Sequence, residues 1–203
     1  MAELYEQSGI SVQGHIKITD PDTKEVIMDK KNAIHFENMS VALAESLSNS
    51  GRGFVYEMVF GNGGTSIDST GVITYLTPNT IGSSSSLYNE TYAQVVDQRS
   101  TDNTNPVRNK LSVRHVPGTS YTDVLVECLL DYGTPINQQA FDNATSVNEN
   151  YIFDELGLRA YSNSENVAGN LLTHVIFHPI QKSLNRRIQI DYTVRIQTLS
   201  GGV

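Results

Sequence analysis

The chain has 203 residues, with 22 acidic against 14 basic side chains and a net charge of −8. That balance excludes a general nucleic-acid binder, which needs positive charge to displace counterions from phosphate, and it argues against an anionic membrane surface as partner. The single cysteine, Cys128, excludes an internal disulfide and a cysteine-built zinc site.

No run reaches the roughly 18 apolar residues of a membrane helix. Residues 1–12 carry acids and no basic side chain, so no signal-peptide pattern is expected. A chain of this length buries about 70% of its unfolded surface, enough for one domain with its own core. In chain order, residues 11–18 put Val12, Gly14, Ile16 and Ile18 on one side, a period of two. Asp20-Pro21-Asp22-Thr23 reads as a turn, and 25–29 as the returning strand of a hairpin. Met39, Leu43 and Leu47 recur at helical spacing, with Asn38 as the expected N-cap and Asn49-Ser50-Gly51 as the stop. Residues 54–60 are apolar on both faces, which predicts an interior strand. Residues 111–116 and 121–130 form a second expected hairpin around Pro117 and Gly118. Residues 171–177 read as a strand that Pro179 stops. In 187–199, Ile188, Ile190, Tyr192, Val194 and Ile196 alternate with polar residues, describing a strand with one dry face. Three long polar stretches, 61–86, 98–109 and 137–150, are the expected contact loops. The chain shows no repeat and no heptads. The expected fold is mainly β: one antiparallel β-sandwich domain over 1–203, with one short α-helix and long polar loops.

Candidate chemistry is sparse. Phe60-Gly61-Asn62-Gly63-Gly64-Thr65 follows a strand as a phosphate loop would, but no Gly-Lys-Ser/Thr follows it, so its glycines are expected to serve a turn. Asp68 to Gly71 and Asp97 to Asp102 lack calcium-loop spacing and read as surface turns. His174 and His178 are four apart, but four residues along a strand span roughly 13 Å, so they are expected to act as sheet-face or interface residues. Asp154 and Glu155 are adjacent carboxylates; on a strand they would point to opposite faces and could not share a bond between them. Cys128 sits in an apolar alternation and is expected to pack as a small hydrophobe. Lys182, Arg186 and Arg187 form one basic cluster, either a solvated turn or a docking patch for an acidic surface. No catalytic, metal or cofactor site is expected, and the protein is read as a non-enzyme.

The order of short motifs carries a resemblance. A strand with Gly14-His15-Ile16-Lys17-Ile18 leads to Asn32-Ala33-Ile34-His35 and the short helix, then to the Phe60-Gly61-Asn62-Gly63-Gly64 loop. Asp154-Glu155-Leu156-Gly157-Leu158 follows, and His178-Pro179-Ile180-Gln181-Lys182 precedes the last strand. This resembles β-sandwich virion proteins of tailed bacteriophages, in particular the N-terminal attachment domain of tail-collar fibre proteins. The resemblance implies a structural virion subunit made in the bacterial host cytoplasm. The fibre shaft that follows this domain in the family has no counterpart before Val203, so the expectation is a homo-oligomeric neck, collar or tail adaptor at the head-tail connection. Its expected partners are copies of itself and other virion proteins: portal, tail tube, collar or fibre. A receptor- or glycan-binding module using Tyr75, Tyr88 and Tyr92, or an anchor for a tail fibre, is the alternative. Interface residues are expected at Gly63, Gly64, Ser83, Ser84, Ser85, Ser86, Lys182, Arg186 and Arg187. In the Asp154–Leu158 motif, Leu156 and Leu158 should share the core face, Gly157 should permit a bulge or close backbone approach, and Glu155 should face outward toward a neighbour or a loop amide.

Overall fold

A computed structural model describes residues 8–135, 150–163 and 168–200. Among these it contains β1 (Ser8–Thr19), β2 (Val26–Ile34), α1 (Phe36–Leu47), β3 (Val55–Gly61), β4 (Thr65–Ile67), β5 (Ile73–Tyr75), β6 (Glu90–Val95), β7 (Lys110–His115), β8 (Tyr121–Leu130), β9 (Asn150–Ala160), β10 (Thr173–Ser183) and β11 (Ile188–Ser200). Nine strands join in one antiparallel sheet, ordered β6-β3-β9-β10-β2-β1-β11-β8-β7, while β4 and β5 pair separately.

The sheet is held by its fewest pairings where β2 meets β10. β2 and β10 share only two residue pairs, Thr173 with Ile34 and His174 with Ala33. β1 and β11 share twelve. One core cluster draws on both halves: Phe60, Phe153, Leu156 and Phe177 from one, Ile16, Cys128, Ile190 and Tyr192 from the other. The expected sandwich-like, mainly β fold is therefore present, formed by a single large sheet curled on itself rather than by two separate sheets.

The alternating strands fold as their period dictates. Ile188, Ile190, Tyr192 and Val194 of β11 are buried, and Ile16 and Ile18 of β1 face them across the shared register. The β1–β2 hairpin turns where Asp20 accepts the amides of Asp22 and Thr23. The β7–β8 hairpin uses Gly118 at φ 85°, a conformation glycine adopts without Cβ strain. β3 lies between β6 and β9, the interior place its two apolar faces predict. Cys128 is buried, and burial pushes its thiol pKa up.

Several expectations are corrected. The helix cap is His35, whose Nδ1 accepts the amide of Asn38; Asn38 itself is buried and donates to the Leu171 carbonyl. Leu47 continues the helical spacing but is 86% exposed, so the buried face of the helix ends before its last turn. Pro179 does not stop β10: it lies in the register shift between Ile176 and Ile180, where no ladder amide is required of it. Residues 61–86 contain the β4–β5 ribbon, and 98–109 are tied down by buried Asn103 and Asn109, which bond the backbone of Asp97 and Leu129. The polar stretch at 137–150 lies outside the described residues apart from its last position, where β9 begins.

Candidate functional site

Two of the sequence motifs meet in space. β9 pairs with β3 along one side and with β10 along the other. Strict alternation along β9 would place Phe153 and Leu156 on opposite faces. Both are in the core, because β10 shifts register opposite Asp154. Asp154 and Glu155 are thereby both kept off the core face, and both turn to the glycine-rich loop that follows β3. The expectation that they serve opposite faces is corrected by this break in the ladder.

Their oxygens are fully engaged. Asp154 Oδ1 accepts the Gly64 amide at 2.9 Å, and Oδ2 accepts the Thr65 amide at 2.9 Å together with the Thr65 hydroxyl. Glu155 Oε1 accepts the amides of Gly63 at 3.0 Å and Asn89 at 2.8 Å. Its Oε2 accepts the Tyr88 amide at 3.0 Å and the His174 Nε2 proton at 2.9 Å. A loop whose amides might cradle a phosphate instead cradles two carboxylates of its own chain. Glu155 does meet loop amides, but it is completely buried rather than outward-facing.

The two neighbours titrate in opposite directions. Burial pushes the Asp154 carboxyl above its usual range, and the Thr65 hydroxyl and Gly64 amide only partly oppose it. Burial also acts to raise Glu155, but the His174 imidazole and the amides of Asn89, Tyr88 and Gly63 outweigh it and hold this carboxyl below its ordinary value.

The glycines are required by close approach. A Cβ on Gly61 would lie 2.4 Å from the Asn89 carbonyl oxygen, and one on Gly63 would lie 2.7 Å from Tyr88 Cβ. Within the Asp154–Leu158 motif, a Cβ on Gly157 would lie 2.3 Å from the Thr173 carbonyl oxygen, so this glycine lets β10 approach β9. Leu156 and Leu158 share the core as expected. The positive φ that the sequence suggests for the loop glycines is not what they supply.

The segment that leaves β3 and returns at β6 forms a strap over β10. His174, fully buried, accepts the Asn79 amide on Nδ1 at 2.7 Å, which fixes its proton on Nε2 toward Glu155. His35 Nε2 lies 3.0 Å from the Gly82 carbonyl, and His178 Nδ1 lies 3.2 Å from the Tyr75 hydroxyl. Three histidines thus bind one strap, a role that a spacing argument aimed at metals does not reveal. Ser83, Ser84, Ser85 and Ser86 sit on the strap beside a cleft of about 560 Å³ that also contains Glu90 and Arg159. Tyr75 and Tyr88, elsewhere on the strap, are half-exposed, while Tyr92 packs in the core.

The basic cluster is dispersed. Lys182 is buried, donating to the carbonyls of Asp131 and Ser183, and burial lowers its pKa to about 8. It is not a surface cation, which corrects its place in an exposed patch. Arg186 pairs with Asp20 at 3.0 Å, and Arg187 pairs with Asp22 and lies over the Tyr132 ring. The β10–β11 turn is thereby tied to the β1–β2 turn, on acids the sequence reading left unpaired. No protein-family model, curated protein or solved structure matches this chain.

Proposed function

We propose that this chain is a structural, non-enzymatic subunit of a tailed-bacteriophage particle. It assembles with copies of itself into a neck, collar or tail adaptor and docks neighbouring virion proteins through its loops. The observation that supports this reading is the union of the Phe60–Gly64 loop with Asp154 and Glu155. These two motifs carry the resemblance to collar-fibre attachment domains, and here they form one braced unit. All four carboxylate oxygens are bound to donors of the protein, an arrangement suited to holding a loop in place rather than to proton transfer. The braced strap offers Ser83, Ser84 and Ser86 outward as polar groups that hydrogen-bond across a wet interface between subunits, while the Ser85 hydroxyl is buried.

The test is assembly. Light scattering and electron micrographs of the purified protein, alone and with portal and tail-tube proteins, should show rings or a bound complex. A persistent monomer that ignores both partners contradicts the proposal. A second reading, a glycan- or receptor-binding module, draws on the half-exposed Tyr75 and Tyr88 of the strap. Sugar-array binding that Tyr88→Ala abolishes would favour it.

A further inference from the structure

Among the described residues β7 ends one side of the large sheet and pairs with β8 alone. The Gln98 side chain donates to the Leu111 carbonyl at 3.1 Å and accepts the Leu111 amide at 2.8 Å. The polar backbone of Leu111 therefore points away from β8. Antiparallel pairing alternates, so Val113 and His115 point theirs the same way. Among the described residues no strand lies beyond them, and Val113 is 72% exposed. Exposed edges of this kind are ready templates for another strand.

Beside this edge lies an apolar cleft of about 470 Å³. Its floor is Val124, Val194 and Ile196, and Met39, Ala42 and Leu43 of α1 form its wall; Leu111 and Val113 border it. On the other face of β7, Arg114 is in register with Asp123 and Arg195. Both arginines pair with the one Asp123 carboxylate, which is buried while Arg114 is mostly exposed. Arg99, also mostly exposed, stands at the cleft with its partner Asp97 buried. Arg114 and Arg99 thus hold mostly exposed guanidinium groups against buried carboxylates, on a chain of net charge −8, while Arg195 is packed over the Tyr121 ring.

We infer that the β7 edge and its cleft form a docking surface for an extended segment of another polypeptide, alternately apolar and acidic. The open backbone groups of Val113 and His115 select an extended chain. The cleft accepts apolar side chains from one face of that chain, and Arg114, on the edge strand itself, attracts acidic ones from the other. This inference stands apart from the virion reading, because it rests on the edge, the cleft and the charge alone.

The test uses the full chain and fluorescein-labelled synthetic peptides of about ten residues, a strand's length. A peptide alternating Val and Glu should raise fluorescence anisotropy saturably. Peptides alternating Val with Lys, or Ser with Glu, should bind at least roughly tenfold more weakly. A Val/Glu peptide N-methylated on its valine amides should fail to bind, because valines seated in the cleft turn those amides toward β7, whereas N-methylation of its glutamate amides should leave binding intact. Val113→Pro removes an outward amide without touching the β8 ladder and should abolish binding at unchanged melting temperature; Arg114→Glu should turn the preference toward the Val/Lys peptide. Equal binding of all peptides, binding indifferent to N-methylation, or no binding of the Val/Glu peptide would overturn the inference. So would self-association of the chain through this edge in place of peptide binding.

Discussion

Glu155 shows how one side chain can hold a loop. It accepts four donors from inside the protein and has no contact with solvent. Glu155→Gln would turn an NH2 group toward one pair of those donors, and should cost about 2–4 kcal/mol at neutral pH. The sign of the pH dependence follows from its depressed folded pKa. Its contribution is complete above the ordinary glutamate value, about 4.3, and is lost as the pH falls through the folded value. Urea melts of the wild type and Glu155→Gln should therefore differ most near neutrality and converge in acid. Asp154, raised by burial, acts in the opposite sense: its contribution is present in acid and is lost as the pH climbs through its folded value. Lys182 gives a separate alkaline signature. Its pKa falls to about 8 on burial, so between there and the ordinary lysine value, about 10.4, the unfolded chain binds a proton that the folded chain does not. Stability should rise across that window in the wild type, relative to Lys182→Met, which lacks the titration. Equal slopes in the two proteins would show that Lys182 is solvated.

At the scale of elements, the strap between β3 and β6 is joined to the body largely by polar contacts. His174→Ala removes both the acceptor for Asn79 and a donor to Glu155. Amide exchange should then accelerate in the strap around Asn79 and Tyr88, while β11 stays protected; uniform acceleration would mean that the strap and sheet open as one unit. Strands with clean alternation were legible in the sequence: β1, β8 and β11 follow from their period, and both hairpins from their turn residues. The helix was legible in type, though not in its cap, since a histidine caps it and the polar Asn38 one turn on looked the better acceptor. β10 was misread at Pro179 because a register shift relieves proline of its ladder bond. The same shift hid the carboxylate anchor: Asp154 and Glu155 face one loop only because alternation fails between Phe153 and Leu156. The loop and the motif were each visible in the sequence, but nothing local showed that they touch, since 90 residues separate Gly64 from Asp154.

At the scale of the molecule, the described residues are built round one large sheet that closes over its own core, its halves joined through the narrow β2–β10 pairing. Composition and period were enough to give the fold class. The single-sheet connection was not legible, because the β2–β10 pairing joins strands that are distant in sequence and rests on two residue pairs. Its surface combines a braced polar strap with an open edge at β7, both suited to meeting other chains. The account of this molecule as a virion part is tested most directly by locating it. Tailed particles purified from the source of this sequence, decorated with gold-labelled antibody against the chain, should carry gold at a fixed site along the neck, collar or tail. Particles free of gold, with the chain recovered only among free proteins, would contradict it.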